Sequence, residues 1–396
     1  MAEEILETQK PAKPPFYNDP VYRAIFFQVV VLGGVLFLGY TLVSNTLHNL
    51  ERQGIASGFD FMGTTAGFSI LMSLIEYTES DSYFRAFLVS LLNTLLVAAL
   101  GVFFATILGF LIGIARLSSN WLISRIATVY IETLRNIPLL LQIFFWYFGV
   151  LRNLPSPKQS VNFLDMFFLN NRGLYSPNPI PEEGFAGIMW SVLAAFVIIF
   201  YMARWAHKRQ EATGQQFHTV YYSIGILIAL PLIATIITGF PMHWDYPSLQ
   251  GFNFKGGLSL IPELVSLTLA LSLYTASFIA EIVRAGIMAV SHGQTEASYA
   301  LGLKAGPTLR FVVIPQALRV IIPPLTSQYL NLTKNSSLAA AIAYPDMVLV
   351  FAGTVLMQTG QAVEVLSITM GVYLTISLLI SAFMNWYNNK MALVER

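Results

Sequence analysis

The sequence predicts an all-α integral membrane protein with about eight transmembrane helices. The 396 residues are 55% hydrophobic, and mean hydropathy is +0.63. Charged residues make up 11%, where a soluble domain carries about 25%. Apolar runs recur at about 20 residues, the length needed to cross a hydrocarbon core of about 30 Å. A net charge of +1 leaves no basic stripe to neutralise phosphates, which excludes a nucleic-acid binder. The absence of cysteine removes disulfides, thiolate metal sites and cysteine nucleophiles. The five histidines (His48, His207, His218, His243 and His292) form no metal-binding spacing.

Residues 1–20 read as a polar, proline-bearing cytoplasmic tail. The first apolar run follows without a small-residue cleavage site and is expected to be a retained span. Spans are expected at 22–44, 86–115, 126–150, 185–203, 219–240, 261–285, 320–344 and 364–387. Pro323 and Pro324 are expected to break the seventh. The organisation is a tail (1–20), a first span with an outer loop (21–85) and the first part of a core (86–150). An insert with an outer loop and two further spans (151–260) precedes the second part of the core (261–390).

Within the first outer loop, 45–85, an amphipathic segment lying on the membrane is expected. In the second, Pro155, Pro157, Pro177, Pro179 and Pro181 favour extended chain. With the N-terminus inside, fourteen Lys and Arg fall on the cytoplasmic side. Six fall outside (Arg52, Arg85, Arg152, Lys158, Arg172 and Lys255), and Arg135 and Lys334 lie inside spans. That asymmetry places both termini in the cytoplasm. No internal repeat is visible.

Residues 292–315 form a long loop with ordered punctuation. Glu296 suits the first turn of a helix, where a carboxylate meets the positive end of the dipole. Gly302 suits a left-handed helix end, and Pro307 the first position of a second short helix. Ala297, Ala300 and Ala305 are small enough to let another protein approach closely. The plain alternative is a helical connector.

This stretch resembles the EAA loop of ATP-binding-cassette (ABC) importer permeases. The match runs through Glu296, Ala297, Gly302, Val312, Ile314 and Pro315, with Ser298 in place of the third small residue. Three further elements resemble the polar amino acid permeases of the histidine, glutamine and arginine type. They are Glu281 to Ile287 with Gly293-Gln294, Lys334 to Leu338, and Glu132, Arg135, Pro138 and Gln142. The enlarged layout is most similar to the general L-amino acid permease subunits. The resemblance implies the type I ABC importer permease fold, with Glu296, Ala297, Ser298, Gly302, Pro307, Ile314 and Pro315 docking an ATPase. It also implies a bacterial inner-membrane assembly. Its partners are a second, similar but different permease, two ABC ATPases and a binding protein for amino acids. No GxxxxGK[ST] motif is present, so the chain cannot cradle nucleotide phosphates. The resemblance implies a non-catalytic subunit without a cofactor of its own, with ATP and magnesium on the partner ATPase.

Ionisable groups inside spans need a partner or a role. Lys334 and Arg135 are candidates to hold the substrate carboxylate, with Asn331, Gln142 and Asn335 as neutral partners. The alternatives are snorkelling or ion pairing, for Arg135 with Glu132. Glu281 and Arg284, three apart, read as a structural ion pair. An ion-gradient-driven secondary transporter is the competing reading, but it needs paired intramembrane carboxylates or a repeat. A membrane-embedded enzyme needs a catalytic cluster, and none is seen.

Overall fold

A computed structural model describes residues 19–52 and 58–391. The expected N-terminal tail lies almost wholly outside these residues. In order, the helices are α1 (Pro20–Arg52), α2 (Tyr83–Arg116), α3 (Trp121–Asn136), α4 (Leu139–Phe144), α5 (Phe185–Thr213) and α6 (Thr219–Ile237). They continue with α7 (Pro262–Met288), α8 (His292–Ala300), α9 (Ala305–Thr308), α10 (Ile314–Asn335), α11 (Leu356–Thr359) and α12 (Ala362–Met391). Among the described residues, seven helical stretches are long and apolar enough to cross a membrane. A helix pair bent by 106° makes an eighth if counted as one span.

The bent pair is the expected third span, 126–150, which is not a straight helix. α3 stops at Asn136 and α4 starts at Leu139, because Pro138 has no N–H for the i→i−4 ladder. The expected break at Pro323 and Pro324 is absent: both lie inside α10, which runs unbroken. Burial of Ile321, Ile322 and Leu325 holds that helix together despite the two missing donors. The chain breaks later, in a 3-10 turn over Ser336–Ile342 ending at Ala343 with φ +59°.

Two compact units divide the chain. The first comprises the described parts of 1–90 together with 347–375. Its core is aromatic: Phe351 lies 6.4 Å from Phe61 and 5.4 Å from Phe87, and Tyr83 lies 6.1 Å from Phe61. Within the first outer loop, residues 64–82 contain no helix. Gly67, at φ +70°, turns the chain so that the loop's two arms bond each other. Ala66 N donates to Asp81 O at 2.8 Å and Gly67 N to Glu79 O at 3.0 Å.

The second unit comprises 91–346 and the described part of 376–396. Here α7 is central, with 61% of its apolar window buried, and α3, α4 and α10 pack against it. Gly109 and Gly113, one turn apart on α2, bring that helix against α7. A Cβ at Gly109 would lie 2.5 Å from Ile279 Cγ2, and one at Gly113 2.7 Å from Ala280 O. Such close approach of backbones suits helix association in lipid, where packing and not hydrophobicity drives contact.

The insert is a helical hairpin closed at its base by strands. A four-stranded antiparallel sheet has the order β1 (Val161–Phe163), β2 (Phe167–Asn170), β3 (Gly173–Ser176) and β8 (Leu258–Leu260). β4 (Asn178–Pro181) pairs with β5 (Met242–Asp245), joining the chain entering α5 to the chain leaving α6. β6 (Ser248–Gln250) pairs with β7 (Asn253–Lys255). The all-α expectation therefore describes the membrane-crossing elements, and these short strands supplement it.

Candidate functional site

The 292–315 loop folds as two short helices at an elbow. α8 ends in a Schellman arrangement: Leu303 N donates to Ser298 O at 3.1 Å and Gly302 N to Tyr299 O at 2.9 Å. Gly302 sits at φ +80°, with no heavy atom within 4 Å of where a Cβ would stand. Backbone conformation, and not crowding within this chain, accounts for glycine here.

Ser298 is buried and bonds Gln294 O at 2.7 Å, whereas Glu296 and Ala297 are exposed. Two expectations need correction. α8 begins at His292, so Glu296 is its fifth residue and lies past the first turn; it faces His292 at 4.0 Å. Pro307 is the third residue of α9, after Ala305 and Gly306. A proline fits there because the first four helical N–H groups lack intrahelical acceptors. Ile314 and Pro315 open α10. The elbow leaves Tyr299, Leu301 and Phe311 bare, at 51%, 82% and 66% exposure.

An ion network ties the helices beside this loop. Arg284 Nη2 meets Glu281 Oε1 at 2.6 Å, as the i, i+3 spacing implied. Arg116, at the end of α2, also donates to Glu281, and its Nη2 lies 3.8 Å from Glu132 on α3. Arg116 was missed in the sequence. Its signal was a cation ending one span opposite an anion near the end of another.

The proposed substrate residues separate on inspection. Gln142 is buried, and its amide Nε2 donates to Leu134 O and Ile137 O, each at 2.9 Å. It caps the bend at Pro138, and its Oε1 has no hydrogen-bond partner among the described residues. Arg135 lies in the last turn of α3 with its guanidinium 5.1 Å over the Phe278 ring. Glu132 forms an ion pair with Arg116 at 3.8 Å and, among the described residues, no salt bridge with Arg135. Lys334 lies in the last turn of α10, is exposed, and makes no salt bridge among the described residues. Asn331, one turn earlier, is exposed, and Asn335 is half-buried. α4, bearing Gln142, touches the 3-10 turn that follows Lys334, and α3 and α10 both pack on α7.

A cavity of about 440 Å³ between α2 and α7 is lined by Leu100, Phe104, Leu108, Leu264, Leu269 and Leu273, among others. Thr268 and Ser272 are its polar lining residues, and their hydroxyls have no hydrogen-bond partner among the described residues. It lacks the charged groups that a zwitterion requires.

Residues 101–393 match the family described as binding-protein-dependent transport system inner membrane component. The chain belongs to this family and is an ABC transporter permease subunit. It is 56% identical to the putative amino-acid ABC transporter permease protein YhdX of Escherichia coli (strain K12), over 96% of this chain and 97% of that protein. It is 55% identical to the general L-amino acid transport system permease protein AapQ of Rhizobium johnstonii, over 96% and 94%. It is 45% identical to the glutamate/glutamine/aspartate/asparagine transport system permease protein BztB of Rhodobacter capsulatus, over 96% of each chain. As such a subunit it is a multi-pass inner-membrane protein, non-catalytic and without a cofactor of its own. ATP hydrolysis belongs to the partner ATPase. The secondary-transporter reading finds no support among these relatives.

Proposed function

We propose that this permease passes L-amino acids, polar or of broad range, inward across the membrane. It works beside a second, different permease, above two ATPases and beneath an amino-acid-binding protein. Both termini and the 292–315 loop face the cytoplasm, in keeping with the distribution of Lys and Arg. Glu296, Ala297, Ser298, Gly302, Pro307, Ile314 and Pro315 form the ATPase seat.

The observation that carries this reading is the α8–α9 elbow, a capped turn that, with the residues just after it, presents bare Tyr299, Leu301 and Phe311. Large exposed apolar groups on a polar loop favour a protein partner. The network of Arg116, Glu281 and Arg284 then passes motion of the elbow from α7 to α2. Lys334 holds the carboxylate common to all amino acids, assisted by Asn331 and Asn335, with Arg135 the alternative cation. Gln142 serves the bend instead.

The test is co-purification of the ATPase, with amino-acid uptake per ATP hydrolysed in vesicles, for the parent and for Leu301→Asp. Loss of ATPase retention with normal membrane insertion is expected. Retention at the parent level would reduce the loop to a connector. Labelling from outside intact cells of a cysteine placed at the exposed Ala297 would overturn the orientation.

A further inference from the structure

Helices α5 and α6 pack on each other, and their apolar windows are nearly bare, with 6% and 0% buried. Such a bare apolar hairpin suits a lipid environment. The end at which α5 meets α6 gathers bases and rings. Arg204 lies 4.4 Å over the Phe200 ring and Arg209 5.4 Å over Trp205. The connecting turn folds back, so that Phe217 meets Trp205 edge-on at 5.4 Å and stacks on Tyr222 at 4.6 Å. Lys208 stands one turn beyond Arg204 on the same helix face. Arg204 and Lys208 are exposed, and neither makes a salt bridge among the described residues. The nearby acid, Glu211, faces His207 at 3.7 Å.

We propose that this end of the hairpin is a binding site for the phosphate of acidic phospholipids, gripped by Arg204 and Lys208. Rings such as Trp205 and Tyr222 settle at the headgroup level of a bilayer, which puts the two cations at the depth of the phosphates. Stacking on Phe200 orders the Arg204 guanidinium beforehand while leaving its N–H groups free to donate. The insert thereby anchors the permease in acidic lipid through a hairpin that packs mainly on itself. None of the coupling or substrate residues belongs to this site.

The test places the assembled importer in phosphatidylcholine nanodiscs with and without phosphatidylglycerol. Lipid retained on the complex is read by native mass spectrometry. The parent is expected to retain phosphatidylglycerol in preference to phosphatidylcholine. Arg204→Gln combined with Lys208→Gln weakens that retention by about five-fold for each charge removed. Arg204→Lys preserves it, and Glu211→Gln strengthens it. Equal retention of the two lipids by the parent would overturn the proposal, as would an unchanged double variant. A double variant that loses both lipids alike, or loses ATPase while keeping phosphatidylglycerol, would also overturn it, pointing to helix packing or a protein partner.

Discussion

Gln142 donates its side-chain amide to the main-chain carbonyl of Leu134 at 2.9 Å, in place of the N–H that Pro138 cannot supply. A second bond, to Ile137 O, lets one side chain seal the 106° bend between α3 and α4. Gln142→Leu should leave both carbonyls unpaired in an apolar setting, costing about 1–3 kcal/mol each. Gln142→Glu should fare no better when ionised, because a carboxylate only accepts. Thermal unfolding of the purified complex checks this, and a parent-like midpoint for Gln142→Leu would show that the bend is capped by other means.

The ion network makes an asymmetric prediction. Glu281→Gln leaves the cations Arg116 and Arg284 facing each other, whereas Arg116→Met leaves Glu281 still paired with Arg284. The first should therefore be the more damaging to stability and uptake. A double-mutant cycle between Arg116 and Glu281 should return a coupling of about 1 kcal/mol, since all three side chains are at most 28% exposed. Additive effects would mean that α2 and α7 are held by packing at Gly109 and Gly113 alone.

At Gly302 the sequence and the structure agree on a left-handed helix end, and the surrounding space adds a refinement. No atom crowds the position, so the cost of substitution is conformational. Gly302→Ala should cost about 1 kcal/mol and Gly302→Asn less, because asparagine tolerates the left-handed region. Gly302→Val should be worst. ATPase retention on the purified permease should fall in that order. Equal loss for all three would indicate that the ATPase itself crowds the glycine.

The membrane-crossing helices were legible because the bilayer demands long apolar runs whatever the tertiary context. Proline was not. Pro138 bends its span, while Pro323 and Pro324 lie in a continuous helix whose Ile321, Ile322 and Leu325 are buried. The cap at Pro138 comes from Gln142, a tertiary feature that hydropathy does not register. The strands were hidden for a similar reason: Leu174 pairs with Leu260 and Pro179 with Trp244 across an intervening helical hairpin. Local periodicity does not reveal such pairing. In the loop, glycine's φ was readable, and the start of α8 was marked by Ser291 with Gln294 three residues on, a capping signal passed over for Glu296 although Ser291 stands at the N-cap. Glu296 was accordingly placed too near the helix start.

Lys334 allows a sharp distinction between substrate handling and helix capping. It occupies the last turn of α10, where a cation complements the negative end of the helix dipole by about 0.3–1 kcal/mol. If that is its whole purpose, Lys334→Met should lower stability slightly and leave uptake intact. If the ammonium holds the substrate carboxylate, Lys334→Met should abolish uptake of every amino acid alike, since all share that group. ATPase retention and basal hydrolysis should then persist, and Lys334→Arg should recover part of the uptake. Arg135→Met supplies the internal comparison, because Arg135 also ends a helix but has its guanidinium placed over Phe278. It should retain more uptake than Lys334→Met. Uptake and hydrolysis measured together in vesicles containing the complete importer decide the matter. Full transport by an assembled Lys334→Met complex would remove Lys334 from the substrate path and leave it as a helix cap.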